Sequence, residues 1–460
     1  MHASTSRRPI SPDRLRADLT GRVIAPGDPD YDEARAVFVG GIDRHPAVIV
    51  RPAGPADVTR AIDLARETGT ELAVRSGGHA NGGLGVCEGG IVIDLRDMRA
   101  IDIDVDARTA WAETGLTAGE YSVAAGAHGL ATGFGDTGSV GIGGITLGGG
   151  VGYLVRKHGL TVDDLLAADI VTADGTVHRV DAEHEPDLFW AIRGGGGNFG
   201  VATRFQYRLH DVRGFVGGML MLPATADVIA GFIAGAEAAP DELSTIANVM
   251  PAPPMPFIPA DWHGRMVLMG LLAWAGDPGA AESVLAPFRA LATPIADMLR
   301  PMAYHEIYPP EDDSYHPISA IRTMFLDRVD RGMAEAILDH LSDGPAPMRV
   351  AQLRVLGGAM ARVPSEATAF AHRGSRIMAN LATLYQAPEQ RDACEAWAAR
   401  FAADIRQDDP GAYVNFLGIE GETRIRAAYP GATWDRLAEI KRRYDPTNLF
   451  RLNQNIPPGG

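Results

Sequence analysis

The spacing of apolar and polar residues predicts short strands and helices in alternation over the first 209 residues. Compact apolar or alternating runs indicate strands, and apolar residues at intervals of three and four indicate helices. Gly69 supplies a helix stop, and Ala173-Asp174-Gly175 between two alternating runs indicates a β-hairpin. The predicted strands are 47–50, 72–74, 91–95, 109–114, 169–172, 176–180 and 201–209, and the predicted helices are 56–69, 117–128 and 187–192.

From residue 210 the pattern changes to longer strand-like runs that alternate with helices. This alternation is typical of an α+β unit in which helices cover one face of a sheet. The proline-rich residues 250–261 predict a loop over the surface or over the mouth of a pocket. The predicted strands are 215–222, 266–274, 348–355 and 377–385, and the predicted helices lie near 226–237, 278–292, 331–342 and 389–404.

Composition limits the classes of protein and partner. A chain of 460 residues is long for one hydrophobic core, so two domains are expected. The hydrophobic content of 46% and the charged content of 22% are those of a globular protein. The net charge of −16 disfavours nucleic acid and anionic membranes as partners, because their phosphates would be repelled. Two isolated cysteines, Cys87 and Cys394, fit a reducing compartment.

The N-terminal sequence bears on localisation. Arg7-Arg8 could belong to a twin-arginine signal, but the sequence after it is polar, whereas such a signal needs an apolar segment. No uninterrupted apolar run is long enough to span a bilayer. We therefore expect a cytoplasmic protein with no membrane partner, as a monomer or a homodimer.

One imidazole stands among glycines in the run RSGGHANGG, residues 75–83, which follows a predicted strand. Glycine lets backbone N–H groups come close to a phosphate or a ring oxygen, and neutral imidazole is a competent nucleophile. The run holds no second His or Cys beside His79, so it does not resemble a metal site, and no metal is expected. Taken alone, the run is also compatible with a glycine turn that holds an incidental histidine.

Further motifs follow this run in a fixed order. They are residues 89–96 (GGIVIDLR), 137–153 (TGSVGIGGITLGGGVGY), 157–164 (KHGLTVDD), 187–201 (DLFWAIRGGGGNFGV) and 444–458 (YDPTNLFRLNQNIPP). In order and spacing they closely resemble the berberine bridge enzyme-like FAD-linked oxidases of the vanillyl-alcohol oxidase superfamily, which have a PCMH-type FAD-binding domain. The resemblance spans nearly the whole chain, and several independent motifs carry it.

The resemblance implies an α+β protein with two domains, a PCMH-type FAD-binding fold and an inserted α+β substrate domain whose antiparallel sheet is covered by helices. The FAD-binding domain would comprise residues 1–209, with its core at about 43–212. Residues 210–410 would form the substrate-binding domain. Because the family-like motifs return near the C-terminus, residues 411–460 would rejoin the FAD-binding domain.

The resemblance also implies that FAD is bound covalently, through His79 and the flavin 8α-methyl group. Such a bond keeps the cofactor in place and raises its potential, which favours abstraction of hydride from poor donors. The alternative is a histidine that forms hydrogen bonds beside non-covalent FAD. Many relatives have a second bond from a cysteine at the position of Thr137, and Cys87 and Cys394 lie elsewhere. No cysteinyl bond is therefore expected.

Other expected cofactor contacts come from the same resemblance. Val140 matches a position that faces the flavin and governs oxygen access, where a small β-branched residue goes with reactivity towards O₂; the alternative is that it packs a turn. Backbone amides would hold the phosphates of FAD. Some glycines could serve turn geometry alone, and the two asparagines could only satisfy backbone groups. The expected contacts are Arg75, Ser76, Gly77, Gly78, His79, Ala80, Thr137, Gly138, Ser139, Val140, Gly143, Gly144, Gly149, Gly152, Val201, Asn453 and Asn455.

Three residues are candidates for catalysis. Tyr413 lies in Tyr413-Val414-Asn415-Phe416, which matches a Tyr-x-Asn motif of the family, and a phenol near the flavin can act as a general base or orient the donor. The alternative is an aromatic core residue. Gln352 and Arg354 share one face of a predicted strand, and neither is the carboxylate that some relatives carry nearby. A further cluster is interpreted as a surface loop; it comprises Tyr304, His305, Tyr308, Tyr315 and His316.

These observations predict a covalent flavoprotein oxidase. Hydride would pass from a CH–OH or CH–NH group of a small or medium organic donor to FAD, and O₂ would reoxidise the flavin to give H₂O₂, in secondary metabolism or catabolism. Two alternatives stay open: a dehydrogenase that uses another acceptor, and a redox-silent flavin-binding protein. A nicotinamide site is disfavoured because residues 195–200 (GGGNFG) follow a helix and precede a strand, the reverse of a Rossmann site.

Overall fold

The computed structural model describes residues 10–309 and 315–459, so Arg7-Arg8 lies outside the described residues. The strands are β1 (Arg22–Ile24), β2 (Val48–Arg51), β3 (Leu72–Arg75), β4 (Ile91–Asp94), β5 (Ile101–Asp104), β6 (Thr109–Glu113), β7 (Leu130–Ala131), β8 (Leu165–Val171), β9 (Val177–Asp181), β10 (Val201–Arg208), β11 (His210–Asp211), β12 (Val216–Pro223), β13 (Leu243–Pro251), β14 (Met266–Trp274), β15 (Ala296–Asp297), β16 (Arg300–Pro301), β17 (Ile318–Leu326), β18 (Met348–Val355) and β19 (Ile377–Tyr385). The α-helices are α1 (Pro12–Asp18), α2 (Tyr31–Arg35), α3 (Pro55–Thr68), α4 (Ala118–Gly126), α5 (Ile142–Leu147), α6 (Val155–His158), α7 (Pro186–Ile192), α8 (Ala226–Ala238), α9 (Ala281–Arg289), α10 (Arg331–Ser342), α11 (Ala359–Arg362), α12 (Arg391–Asp404), α13 (Glu422–Ala428) and α14 (Ala432–Tyr444).

The first sheet positions the segment that carries His79. Its strand order is β1-β2-β4-β3, and both β2 and β3 are parallel to β4. Helix α3 packs on this sheet through Val58 and Ile62, and the predicted stop at Gly69 is confirmed, because Gly69 caps the helix with φ 62°. Since β3 ends at Arg75, the glycine run with His79 leaves directly from the end of a buried strand.

A buried carboxylate joins three strands of this sheet. Asp94 accepts hydrogen bonds from Arg75 at 2.8 Å, from Arg51 at 3.0 Å and from Arg96 at 3.1 Å. Burial alone would raise the pKa of Asp94, and the guanidinium groups of Arg75 and Arg96 outweigh it and lower that pKa to about 2. Arg75 also donates to the carbonyl of Ala36 at 3.0 Å, so it ties the segment before β2 to the sheet.

We expect Asp94→Asn to lower the free energy of unfolding by about 3 kcal/mol, because it leaves the buried guanidinium group of Arg75 without its counter-charge. The contribution of Asp94 is full above its ordinary pKa of 3.8 and is lost as the pH falls through about 2. Urea unfolding at neutral pH measures this effect. The control is Asp97→Asn, whose side chain is 39% exposed, and its cost should stay below about 1 kcal/mol. An unchanged midpoint in Asp94→Asn would contradict the expectation.

The second sheet is antiparallel, in the order β5-β6-β10-β8-β9. The predicted hairpin is confirmed, since β8 and β9 pair from Val171 opposite Val177. The C-terminal segment packs against this sheet, because Phe205 and Tyr207 of β10 share a hydrophobic core with Leu437 and Ile456. The end of the chain therefore returns to the part that contains the glycine-rich motifs.

The largest sheet is antiparallel, in the order β15-β12-β14-β13-β18-β19-β17, with β16 paired to β12. Helices α8, α10 and α12 pack on one face, where Leu353 of β18 shares a core with Phe232 and Phe401. Because side chains alternate along a strand, Gln352 and Arg354 lie on the opposite face. The predicted α+β unit with helices on one face is confirmed.

Two predictions in this region were incomplete or wrong. Strands β13 and β17 were not predicted, and the first two residues of the expected loop 250–261 belong to β13. All nine residues of β13 are buried, and Ser244, Thr245 and Asn248 interrupt its apolar pattern. The helix expected over 278–292 is a 3₁₀ turn followed by α9, which ends at Arg289.

We propose domain boundaries near residues 209 and 411, as predicted from the sequence. The packing of Leu437 and Ile456 with β10, and the separate core beneath α8, α10 and α12, support this division. Over residues 10–309 and 315–459, the helices are too short or too polar to cross a membrane.

Candidate active site

One cleft receives the glycine-rich segments from separate parts of the chain. It is lined by the run after β3, by the segment 135–147, by the loop 196–202 and by residues 413–417 and 450–454. The predicted residues that line it are Arg75, Ser76, Gly77, Gly78, His79, Ala80, Thr137, Val140, Gly143, Gly144, Asn453, Tyr413 and Arg354.

Other expected contacts stand outside the lining of the cleft, and for some of them packing supplies a reason. A Cβ at Gly152 would overlap the carbonyl oxygen of Phe134, and one at Gly149 would press on Phe370. Val201 is fully buried within β10. That these residues contact the cofactor stays a prediction. The full set outside the lining is Gly138, Ser139, Gly149, Gly152, Val201, Asn455 and Gln352.

Two neighbours, one aromatic and one polar, hold the His79 ring. The Phe38 ring stacks on it at 4.0 Å between centroids and 17° between planes. The Nε2 atom of His79 lies 2.9 Å from the Oγ atom of Ser139. When Nε2–H donates to that hydroxyl, the lone pair of the neutral imidazole is on Nδ1. In this tautomer Nδ1 is the nucleophilic atom. Phe38 precedes every motif considered in the sequence, and no pattern there indicates its role.

Arg75 borders the cleft, but its guanidinium group is bound elsewhere. It donates to Asp94 and to the carbonyls of Ala34 and Ala36, and its side chain is 1% exposed. The arginine of the motif therefore stabilises the strand that carries His79. It has little freedom to neutralise a phosphate.

Ser76 joins two glycine-rich segments. Its hydroxyl donates to the carbonyl of Thr114 at 2.5 Å and accepts from the N–H of Gly143 at 3.3 Å. Gly77 and Gly141 approach so closely that a Cβ on either would overlap the backbone of the other. Glycine at both positions therefore leaves a narrow cradle that a side chain would fill.

The lining suits FAD, which combines a flat ring system with a diphosphate. Apolar side chains such as Leu147, Val151 and Phe416 line the cleft together with backbone amides of glycines. Over residues 10–309 and 315–459, the buried Oδ1 atom of Asn453 has no hydrogen-bond partner, while its Nδ2 atom donates to the carbonyls of Gly197 and Phe450. A ligand N–H would satisfy this amide oxygen.

Tyr413 satisfies both interpretations of its role. It is 2% exposed and packs with Phe325, Phe370 and Met378, as a core residue does, and it also lines the cleft. Its hydroxyl oxygen accepts three hydrogen bonds. The donors are the N–H of Gly150 at 3.0 Å, the N–H of Val151 at 3.3 Å and the Nδ2 atom of Asn415 at 2.9 Å.

Those three donors stabilise negative charge on the Tyr413 oxygen. Burial raises the pKa of Tyr413, and the hydrogen bonds from Asn415, Gly150 and Val151 act against that rise. Within the described residues, the Tyr413 hydroxyl has no acceptor for its own proton, so a bound donor molecule can exchange a proton with it.

Arg354 and Gln352 form one hydrogen-bonded group with a residue that the sequence did not indicate. Arg354 donates to the carboxylate of Asp136 at 2.6 Å and to Oε1 of Gln352 at 2.7 Å. Gln352 donates in turn to Asn248 at 3.0 Å. Arg354 therefore lines the cleft, and its hydrogen bond to Oε1 of Gln352 orients the guanidinium group. Asp136 directly precedes Thr137, and only this long-range pair shows its importance.

The prediction that the aromatic cluster lies in a surface loop was wrong for two of its members. Tyr304 and Tyr308 are 2% and 8% exposed and pack with Tyr153. The hydroxyl of Tyr308 donates to the carbonyl of Gly135 at 3.3 Å, beside the cleft. Tyr304 begins a 3₁₀ turn and Tyr308 caps its end, and this turn packs against β12 and α4. Tyr315 is exposed, as expected.

A glycine cradle, a positioned imidazole and a buried phenol thus lie together in one apolar cleft. Residues 46–181 match the FAD binding domain family, and residues 412–457 match the family described as berberine and berberine like. The chain belongs to the berberine bridge enzyme-like family of FAD-linked oxidoreductases. The predicted family, fold class and enzyme class are confirmed.

Three similar proteins illustrate the relationship. The chain is 34% identical over 465 residues to the FAD-linked oxidoreductase YvdP of Bacillus subtilis, with 96% of this chain and 98% of that protein covered. It is 30% identical to (R)-6-hydroxynicotine oxidase of Paenarthrobacter nicotinovorans, with the same coverage. The crystal structure of 6-hydroxy-D-nicotine oxidase from Arthrobacter nicotinovorans matches with a TM-score of 0.86 at 26% identity, covering 96% of this chain and 98% of that one.

Proposed function

We propose that this protein is a covalent flavoprotein oxidase that acts on a CH–OH or CH–NH group of a small or medium organic donor, with O₂ as acceptor and H₂O₂ as product. When bound, FAD supplies an acceptor for the hydride of the donor. Tyr413 carries the proposal, because the residue lines the cleft. Its hydroxyl oxygen accepts three N–H groups and has no acceptor for its own proton among the described residues. We further propose a cytoplasmic monomer or homodimer in secondary metabolism or catabolism.

His79 would hold the cofactor. Stacking on Phe38 fixes the plane of the imidazole, and the contact of Nε2 with Ser139 fixes its rotation. Both restraints lower the entropy lost when one ring nitrogen forms a bond. No cysteinyl bond is proposed, because Cys87 and Cys394 are both buried and neither lines the cleft.

Tyr413 would remove the proton of the donor. Its oxygen must be deprotonated to act as a base, and the three N–H donors stabilise that form. The rate of flavin reduction should therefore rise with pH as Tyr413 ionises.

An anaerobic screen tests the function. The holoenzyme is mixed with a panel of secondary alcohols, secondary amines and sugars, and bleaching of the flavin is followed by absorbance. Bleaching by a member of the panel, followed by H₂O₂ release on admission of air, is the expected result. Reoxidation by a quinone or dye but not by O₂ would instead identify a dehydrogenase. A flavin that no donor reduces would identify a redox-silent binding protein.

We expect Val140→Leu to slow reoxidation of the reduced flavin by about tenfold, which corresponds to about 1.4 kcal/mol in the barrier. Val140 lines the cleft and is partly exposed, so added bulk narrows the approach of O₂. Photoreduced enzyme mixed with aerated buffer in a stopped-flow instrument measures the rate without any donor. Val140→Ala is the control and should react at least as fast as the native enzyme. Equal rates in Val140→Leu would remove the reason to prefer an oxidase.

A further inference from the structure

Asp136 forms an ion pair at the wall of the cleft. Its Oδ2 atom lies 2.6 Å from Nη2 of Arg354, and the two side chains are 19% and 4% exposed. The pair joins the segment before Thr137 to strand β18, across 218 positions of the chain. Among the residues that the structure describes, buried Tyr153 and Tyr308 also face this carboxylate.

Arg354 connects this pair to the Tyr413 hydroxyl. Its Nη1 atom donates to the carbonyl of Val151 at 3.1 Å, and the N–H of the same Val151 donates to the Tyr413 oxygen at 3.3 Å. The guanidinium group lies 5.1 Å from the Phe416 ring, whose centroid is 5.1 Å from that of Tyr413. Burial raises the pKa of Tyr413, and the positive charge of Arg354 is one of the influences that lower it.

Other charged groups near Tyr413 are already compensated or neutral. Phe370 packs against Tyr413 at 6.2 Å, and Arg373 lies over that ring at 5.4 Å. Arg373 is itself paired with Asp163 through contacts of 2.7 and 2.8 Å. Burial lowers the pKa of His372, so this imidazole is neutral at pH 7. Arg354 is the cation whose charge acts on the phenol and lowers the pKa of Tyr413.

We infer that Asp136 is a positioning residue that sets the pH at which Tyr413 ionises, because its carboxylate neutralises Arg354. The inference rests on the proposed role of Tyr413 as the base. In a low-dielectric site the field of an arginine reaches a nearby phenol, and a carboxylate bound to that arginine cancels most of it. Asp136 thus keeps Tyr413 in the phenol form at rest, although Asp136 itself touches neither Tyr413 nor its three N–H donors in the hydrogen-bond network.

The ionisation of Tyr413 can be read directly by ¹³C NMR on holoenzyme labelled at the tyrosine Cζ carbons. The chain has 11 tyrosines, and the resonance that disappears in Tyr413→Phe identifies the one required. Asp136→Asn should lower the titration midpoint of that resonance by about one pH unit, because Arg354 loses its counter-charge. Arg354→Gln should raise it, and the double variant should return close to the native value.

Two matched variants separate charge from structure. Asp136→Glu keeps the charge and should leave the midpoint near the native value. Asp169→Asn removes another carboxylate bound by two arginines, Arg179 and Arg204, and should leave it unchanged. A midpoint in Asp136→Asn equal to that of the native enzyme overturns the inference. Should Asp136→Asn not fold, Arg354→Gln decides, because a midpoint that fails to rise also overturns it.

The pH profile of flavin reduction supplies a second reading once a donor is known from the screen. In Asp136→Asn the rising limb should move to lower pH, whereas a merely structural defect would lower the rate without moving the limb. The two proposals fail separately. If the flavin of Tyr413→Phe is reduced at the native rate, Tyr413 is not the base. If Tyr413→Phe is slow but the NMR midpoint is unchanged in Asp136→Asn, Tyr413 remains the proposed base and the inference about Asp136 is wrong.

Discussion

Protein in which His79 is replaced by alanine should release all of its FAD on denaturation. The native protein should keep a yellow colour through acid precipitation, because the imidazole is the proposed covalent attachment and lines the cleft. The washed pellet is measured by flavin fluorescence, and mass spectrometry of a proteolytic digest should place the flavin on the peptide that contains His79. The expected effect is complete loss of the covalent fraction.

Controls of the same residue types are available. The Nδ1 atom of His316 donates to the carbonyl of Phe38 at 3.3 Å, so this imidazole lies close to the same segment, yet His316→Ala should retain covalent FAD. Cys87→Ser and Cys394→Ser should also retain it. Burial raises the pKa of the Cys87 thiol to about 12, which leaves it protonated and unreactive. Flavin that stays bound to denatured His79→Ala would refute the assignment.

The sequence was sufficient where chemistry depends on a local segment. The run around His79 could be placed at the end of a strand because Leu72-Ala73-Val74 is apolar and glycine follows it, and β3 indeed ends at Arg75. The hairpin between β8 and β9 was equally local, since Asp174-Gly175 specifies the turn. In these places neighbouring residues determine the conformation.

The sequence was insufficient where a contact joins distant parts of the chain. Asp136 carries no signal of its own, and its partner Arg354 lies 218 positions later on another sheet. Phe38 stacks on His79 from a segment without a motif. Arg75 shows the same limit: the motif predicts a ligand contact, which stays a prediction, but it does not indicate that the buried carboxylate of Asp94 binds the guanidinium group. A local sequence pattern identifies a residue, but it does not indicate which distant residue will contact that side chain.

Strand β13 illustrates a second limit. A strand buried on both faces need not alternate, and here Ser244, Thr245 and Asn248 stand among apolar residues. The Oδ1 atom of Asn248 accepts a hydrogen bond from Gln352 on the neighbouring strand, so this polar side chain acquires that partner only in the folded sheet. Periodicity cannot recognise such a strand, because the hydrogen bond that stabilises its polar residue does not exist in the isolated segment.

Tyr413→Phe should slow reduction of the flavin by the donor by at least about tenfold, since a positioned acid–base group contributes about 10²–10⁴-fold. The substitution keeps the ring and its packing with Phe325, Phe370 and Met378, and removes only the hydroxyl. Flavin content should therefore stay close to native, whereas thermal stability should fall because the buried N–H groups of Gly150 and Val151 lose their acceptor. Anaerobic stopped-flow reduction with the best donor of the screen measures the rate.

Tyr429→Phe is the matched control. Its ring is 1% exposed, its hydroxyl is buried without a hydrogen-bond partner among the residues that the structure describes, and it does not line the cleft. Loss of that hydroxyl should leave reduction unchanged, which separates the removal of a buried oxygen from the removal of a base. A native rate in Tyr413→Phe would make Tyr413 a structural aromatic. The proton would then have to pass to another group of the cleft, and the carboxylate of Asp136 would be the first to test, because Gln352 and Arg354 cannot serve as carboxylate-type bases.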